Sequence, residues 1–452
     1  MTNNEGQQNL QKNIGFTELL IFSFSTMIGW GWVALTGDWI SSGGVLGAVI
    51  AFFLGGLSCI FVGMVYSELT PMFPNAGGEI IFSYNALGYY PALFTGWVLL
   101  FAYLGIVAFE GPALITALDY LIPLPKIGYL YTVAGFDVYF SWLVMCWLAG
   151  ACIIFVNFIG MMSSSLFQLA ATIIMLIGGA IILALGLTRG DSENFTPLFT
   201  DLKGFASVVL AVPAMFVGFD IISKLTEETS VNIKKIPRAI ILSIILVAVW
   251  YILIIICAGV LAPVEVYKHD GISVVNIVNY ATGNIRSGRT IIITAIMGIL
   301  TSWNGFIIGS TRLLYSMGRE EMLPKIFCRL HSKYNSTYVA LLFIVVIIFI
   351  APLLGRNSLN WFINASGFGT VIAYFMTALS FIVLRKKHQE LNRPYKISHG
   401  IFWGYGALIS AVLFMLIYLP IGYGSLNKTE WLIILGWLIL GVILCKKTPP
   451  KE

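Results

Sequence analysis

Apolar runs about as long as a bilayer is thick follow one another along the whole chain, separated by short polar or charged stretches. At ~1.5 Å per residue, a helix needs about 20 residues to cross the hydrocarbon core. The stretches that qualify are 15–39, 44–70, 85–121, 138–158, 165–187, 203–222, 238–262, 289–317, 337–354, 359–384, 401–423 and 429–445. Their polar groups are sparse on every face, as expected of helices surrounded by lipid or by one another. Backbone N–H and C=O groups in lipid must be satisfied within the segment, so the expected fold is an all-α polytopic bundle of about 12 transmembrane helices. The longest connections, near 123–137, 188–202 and 263–288, read as linkers or short lid helices. No stretch reads as a soluble domain.

Two of these runs are interrupted. Phe24-Ser-Thr-Met-Ile-Gly-Trp-Gly-Trp32 places Gly29 and Gly31 beside the hydroxyls of Ser25 and Thr26 in the middle of the first span. Ala211-Val-Pro-Ala-Met-Phe-Val-Gly-Phe-Asp220 places Pro213, Gly218 and an acid inside the sixth. Glycine is a weak helix former, and proline removes a donor and frees a carbonyl one turn earlier. Unwound backbone at membrane depth survives only where it is buried in protein or lines a cavity. One interruption alone is also explained by close helix packing through small residues. A pair five spans apart points instead to an inverted repeat with a binding site between its halves. A broken helix offers free N–H groups to a carboxylate and free carbonyls to an ammonium or Na⁺.

Composition supports the membrane reading, with 58% hydrophobic and 10% charged residues. With the N-terminus in the cytoplasm, most of the 26 Lys and Arg residues fall on the inner side. The positive-inside rule then makes both termini cytoplasmic in a multi-pass protein of the cell membrane. The net charge of +5 is therefore topological and does not indicate nucleic-acid binding. Residues 1–13 are polar and the first apolar run is too long for a signal-peptide core, so no cleaved leader is expected. The six cysteines show no metal or disulfide spacing, and His269, His331, His388 and His399 lie in polar loops. No nucleophile with a base, no resident cofactor and no catalytic residue is indicated. Lipid and a small molecule are the expected partners, with no obligate protein partner evident.

Several short motifs, taken in order, resemble one family. Ile28-Gly-Trp-Gly31 is similar to its Ile-Gly-Ser-Gly break. Ser67-Glu-Leu and Pro74-Asn-Ala-Gly-Gly-Glu-Ile-Ile-Phe-Ser-Tyr84 resemble its stretch between spans 2 and 3. Phe216-Val-Gly-Phe-Asp220, Glu227-Glu228 and Ile236-Pro-Arg-Ala-Ile240 resemble its passage from span 6 to span 7. Arg312-Leu-Leu-Tyr-Ser-Met-Gly-Arg-Glu320 with Leu323-Pro324 resembles the end of its span 8. The chain is thus similar to the amino acid–polyamine–organocation (APC) transporter superfamily over nearly its whole length. The resemblance implies a LeuT-type 5+5 inverted repeat with helices 1 and 6 broken. Residues 15–187 would form the first repeat and 203–384 the second. Residues 401–445 would add two spans, with tails at 1–14 and 446–452. It also implies secondary transport of a small amino acid or related amine by alternating access.

By the same resemblance, the substrate carboxylate meets N–H groups at Gly29, Trp30 and Gly31. Its ammonium meets carbonyls near Ser25, Thr26, Ile28 and the run Ala214, Met215, Phe216 and Val217, and Gly218 belongs to the same substrate site. Trp30 stands where the family usually has a small hydroxyl residue. Ala214 stands where many relatives have a gating aromatic, so Phe216 or Phe306 is expected to take that role, or the substrate is larger. Glu110, an acid inside span 3, shares a helix face with Tyr103 seven residues earlier. It reads as an ammonium partner, a coupling group that binds protons, or a neutral prop between helices. Sodium-independent relatives often carry a span-5 lysine, and Met175 stands at that position. Thr301 and Ser302 resemble the hydroxyl pair of a Na⁺ site, completed by carbonyls of Ser25, Ile28 and Gly298. Na⁺ is therefore the expected coupling ion. The rivals are proton-coupled or exchange transport of a polyamine or cationic amine through Glu110. A non-transporting amino acid sensor on the same fold is the reading from a different class.

Overall fold

The computed structural model describes residues 10–267, 272–420 and 425–445. The tail 446–452, residues 1–9, Lys268, His269 and the end of the expected eleventh span lie outside the described residues. The first crossing is made of three pieces, α1 (Phe16–Ile28), α2 (Gly31–Ala34) and α3 (Thr36–Gly43). Helix α4 (Val45–Met72) returns, a short α5 (Glu79–Leu87) follows, and α6 (Tyr89–Leu121) crosses again. Helices α7 (Phe140–Phe158) and α8 (Met161–Arg189) close the first group of five crossings. The sixth crossing is again in pieces, α9 (Leu202–Met215) and α10 (Ile221–Lys224), followed by α11 (Ile236–Leu261). Two short helices, α12 (Val264–Tyr267) and α13 (Ser273–Thr282), lead into α14 (Ile285–Arg319). Then come α15 (Tyr338–Ile350) with a 3₁₀ extension to Leu354, α16 (Arg356–Lys387), α17 (Gly400–Tyr418) and α18 (Lys428–Leu444).

Among the described residues, nine helical stretches are long and apolar enough to cross a membrane. Two shorter apolar helices, α9 and α15 with its extension, add to the crossings of a polytopic helical membrane protein. The inner and outer helices differ sharply. The most apolar stretches of α6 and α14 are 78% and 83% buried, against 22% for α7 and 28% for α17. Helices α6 and α14 therefore form the core, against which α1, α8 and α16 pack. Exposed Leu148, Phe155, Leu413 and Val442 mark the lipid-facing rim. Helix α18 is fastened to α6 by stacked Trp97 and Trp437, ring centres 4.5 Å apart. Each indole N–H of that pair donates to the other residue's carbonyl, at 2.8 and 2.9 Å.

The connections differ from expectation. Residues 123–137 are neither linker nor lid helix, because they hold strands β1 (Tyr129–Val133) and β2 (Phe136–Tyr139), paired antiparallel. Ala134 and Gly135 turn the hairpin with φ of 49° and 74°. The hairpin is tied to the ends of α15 and α16 by Tyr131 Oη donating to Leu353 O at 2.7 Å and Asn357 Nδ2 to Ala134 O at 3.0 Å. The 188–202 connection holds a 3₁₀ turn, Ser192–Phe195, and the 263–288 connection holds the expected short helices. Expected span 3 is divided between α5 and α6 at Gly88, and expected span 5 starts earlier, at Met161.

The chain's beginning packs on one face of the bundle. Ile14 N donates to Glu228 O and Ser230 N to Ile14 O, both at 2.9 Å. We call this the tail face; α1 starts there, and α4, α10, α14 and α16 end there. The hairpin, α12 and α13 lie on the opposite face.

Candidate functional site

Both interrupted spans are broken where the glycines stand. Helix α1 stops at Ile28, Gly29 takes φ +50° and ψ −137°, and α2 restarts at Gly31. That backbone geometry is open to glycine and strained for other residues. Helix α9 stops at Met215, the chain turns through Phe216 to Asp220 with Gly218 at φ +129°, and α10 resumes. Gly218 has its own constraint, since a Cβ there would sit 3.2 Å from Met27 N and 3.1 Å from the Thr26 methyl. The two breaks therefore touch. The first N–H groups of a restarting helix have no intrahelical acceptor, and the last carbonyls of a stopped one have no donor.

Between the breaks lies a cavity of about 290 Å³. Of the residues expected at a substrate site, Thr26, Ile28, Gly29, Trp30, Gly31, Glu110, Ala214, Met215, Val217 and Phe306 line it. Four do not. Ser25 is fully buried behind the cavity, donating to Ile21 O at 2.6 Å. Phe216 is buried against Phe52 and Tyr251. Gly218 faces α1 and does not line the opening. Tyr103 lies beneath the floor, its ring 5.3 Å edge-on to Phe306 and its hydroxyl donating to Asp220 Oδ2. The gating role expected of Phe216 is thus not available to it here, whereas Phe306 does line the floor.

Residues that the sequence reading missed come mostly from α6 and α16. Ile106 and Phe109 form an apolar wall, and Asn360, Ile363, Ser366, Gly367 and Thr370 form the side facing it. The run Ser366-Gly-Phe-Gly-Thr370 within an apolar span was the available signal. A second cavity, of about 450 Å³, shares Leu35, Ala214, Met215, Ile363 and Gly367 with the first. It extends past Ser207 and Asn427 toward the face opposite the tail. The site therefore has its vestibule on that side. On the tail side Asp220, Lys224, Glu79 and Tyr66 are all buried.

Among the described residues, Glu110 is the one ionisable side chain lining the central cavity. Its Oε1 accepts a short hydrogen bond from the Ser302 hydroxyl, and its Oε2 has no hydrogen-bond partner among the described residues. The Thr26 hydroxyl, also on the lining, lacks one too. At the expected cation site, Thr301 Oγ1 lies 3.2 Å from Ser25 O and 2.9 Å from Gly298 O, so three of the five oxygens converge. Gly298 packs against the Gly29 carbonyl so closely that a Cβ would overlap it. The other two oxygens are engaged elsewhere: Ile28 O accepts from Tyr251 Oη at 2.9 Å, and Ser302 donates to Glu110 and to Ile299 O. Hydroxyls and carbonyls are the oxygen donors that a hard cation takes. Three oxygens of that kind lie together here.

Helix α8 contributes a group that was not anticipated. Met175 is buried, and the residue reaching both α1 and α14 is Gln168, seven positions earlier. Its Nε2 donates to Ser25 Oγ at 2.8 Å and to Thr301 O at 3.1 Å. Its Oε1 accepts from Asn304 Nδ2 at 2.7 Å, and Asn304 Oδ1 accepts from Asn157 and Ser164 at 2.8 and 2.9 Å. A neutral amide network thus holds α7, α8, α1 and α14 together behind the site.

Comparison with known proteins gives a consistent picture. The profile of the amino acid permease family matches residues 14–443. The chain is 24% identical to the branched-chain amino acid permease BcaP of Bacillus subtilis, covering 97% of this chain and 93% of that protein. It is 25% identical to the methylthioribose transporter of the same organism, with the same coverage. It is also 25% identical to the serine/threonine exchanger SteT, covering 86% of each.

Proposed function

The chain belongs to the amino acid permease family, and from that premise we propose that it carries a neutral amino acid with an apolar side chain across the cell membrane by alternating access. One observation carries the reading. Two broken helices meet at a single cavity whose lining is largely apolar, with Ile106, Phe109, Met215, Phe306 and Ile363 beside the polar Glu110, Asn360, Ser366 and Thr370. A zwitterion suits opposed half-helix ends without needing a charged side chain, and its own side chain suits the apolar wall. The name of the branched-chain permease among the relatives points the same way. The tail face lies in the cytoplasm by the positive-inside rule, so this conformation opens outward. Residues 15–187 and 203–384 act as the two repeats that rock about the site.

Na⁺ is the proposed coupling ion, on the convergence of Thr301 Oγ1, Ser25 O and Gly298 O. A proton on Glu110 is the second reading. It is favoured by the unpaired Oε2 and by the Ser302 hydroxyl being directed at the carboxyl, away from a cation. Proteoliposomes supplied with radiolabelled leucine, alanine or putrescine test all of this. Leucine uptake that needs a Na⁺ gradient, with Thr301→Ala raising the Na⁺ requirement, is the expected result. Full uptake in sodium-free buffer under a proton gradient, lost in Glu110→Gln, decides for the proton. Uptake of putrescine alone overturns the substrate assignment. Binding without any flux replaces transport with sensing.

A further inference from the structure

Beneath the cavity floor, a second group of ionisable residues is closed off from water. Phe306 packs edge-on against Tyr103, Tyr103 donates to Asp220, and Lys224 Nζ lies 2.9 Å from Asp220 Oδ2 and 2.6 Å from Glu79 Oε1. Tyr66 Oη donates to the same Glu79 oxygen at 2.6 Å. Lys224, Glu79, Asp220, Tyr66 and Tyr103 are all fully buried. Tyr374 faces the cluster from α16, packing on Phe219 and Tyr66, and Thr377 lies 3.5 Å from Tyr66 Oη.

The charges in this group do not balance. Elsewhere on the tail face, Glu68 has both Arg385 and Arg393, and Glu228 has a two-point pairing with Arg312. Here two carboxylates share one ammonium. The donors are also unevenly divided. Asp220 receives Gly218 N on Oδ1, and Tyr103 and Lys224 on Oδ2, whereas Glu79 Oε2 has no partner among the described residues. An uncompensated charge taken fully out of water is far more costly than a proton taken up at neutral pH. Burial pushes the Glu79 carboxyl above its usual value, Asp220 adds to the rise, and Lys224 opposes it.

We infer that the Glu79–Lys224–Asp220 cluster is a proton-binding site built into the closed tail face. It holds one proton on Glu79 while the face is shut and gives it to water as the face opens. The inference rests on the alternating-access reading for its opening step. The balance is simple: the Glu79 O–H bond breaks, the electron pair stays on the carboxylate, and the proton passes to water entering from the tail side. Lys224 remains an ammonium and stays between the two carboxylates. Glu79 lies on α5, in the first repeat, and Asp220 and Lys224 follow the second break, so separating the repeats hydrates the cluster. The closed form, with the raised proton affinity, is favoured at low pH and loses ground as pH rises.

Infrared difference spectroscopy of the purified full-length protein tests the proton directly. Wild type at neutral pH should show a protonated-carboxyl stretch that Glu79→Gln removes. Asp220→Asn should remove it as well, because one carboxylate then matches one ammonium and Glu79 ionises. That second variant decides the matter should Glu79→Gln fold poorly. Glu110→Gln should leave this band in place. Hydrogen exchange of segments 76–83 and 219–226, corrected for intrinsic rates, should report opening that rises ~10-fold per pH unit in wild type. In Glu79→Gln it should be independent of pH. A band unchanged in both variants, or opening indifferent to pH in wild type, overturns the inference. Both readouts are made without substrate, so absence of amino acid uptake would overturn the transport reading and leave this result standing.

Discussion

At Gly31, a single missing Cβ keeps the site open. An added Cβ would lie 2.8 Å from Met215 Sδ and 3.7 Å from Tyr251 Oη. The thioether can swing away, so Gly31→Ala should bind substrate a few-fold more weakly. Gly31→Leu should fill the space between the breaks and weaken binding at least tenfold, about 1.4 kcal/mol, with folding retained. Ligand-induced thermal shift, compared with the unliganded melting temperature, checks both. The Thr26 hydroxyl, buried on the lining and unpartnered, is placed to bond a bound ligand. Thr26→Val keeps the shape and should lose about 0.5–1.5 kcal/mol of binding, measured as a Kd change. The glycines, Thr26 and Glu110 were legible because such residues stand out in an apolar run. Tyr103 was misplaced for a geometric reason: seven residues preserve the helix face but move ~10 Å along the axis, which takes it below the floor. Phe216 lies within a break, where helical phase no longer says which way a side chain points. Gln168 was missed because an isolated amide in a span shows neither periodicity nor charge.

At the scale of elements, the broken helices were visible in advance, since Gly-Trp-Gly and Pro-x₄-Gly weaken a helix, although Gly367-Phe-Gly369 and Gly404-Tyr-Gly406 stay helical within α16 and α17. The hairpin at 129–139 was not anticipated, although Tyr-Leu-Tyr-Thr-Val and Phe-Asp-Val-Tyr are β-prone and flank a two-residue turn. What hid it was the turn residue. Ala134 takes φ 49°, a region in which Asn and Gly are the usual occupants. Ala134→Asn should recover up to about 1 kcal/mol of that strain, seen as slower amide exchange across β1 and β2. Because the hairpin is bonded to Leu353 and Asn357, the same change should also quiet the start of α16.

For the whole molecule, the question is which face is shut and what holds it. The tail face closes through ion pairs that join distant segments: Glu68 to Arg385 and Arg393 and Glu228 to Arg312, which are largely buried, and Glu227 to Arg319, which is half-buried. Removing one partner from a buried pair leaves the other charge stranded, at about 3–5 kcal/mol. Arg312→Gln should therefore move the population away from the present conformation. The expected signs are weaker substrate binding from the vestibule side and faster exchange at 226–230, with overall helix content unchanged. None of this closure could be read from the chain alone, because each pair spans tens to hundreds of residues. The polytopic helical architecture was legible, because bilayer thickness sets segment length locally.

The strap at Ile14 has a consequence of another kind. Ile14 is hydrogen-bonded on both sides to the segment carrying Glu228, so the leading segment must come away, or travel with that segment, whenever the tail face parts. A carrier loses efficiency through slippage, the opening of a gate with no cargo aboard, and every fastener on the shut face sets how often that happens. Under the proposed ion-coupled transport, removing residues through Ile14 should thus leave a protein that still exchanges its cargo quickly but dissipates the ion gradient when idle. Such a truncation would turn a pump-like carrier into a leak.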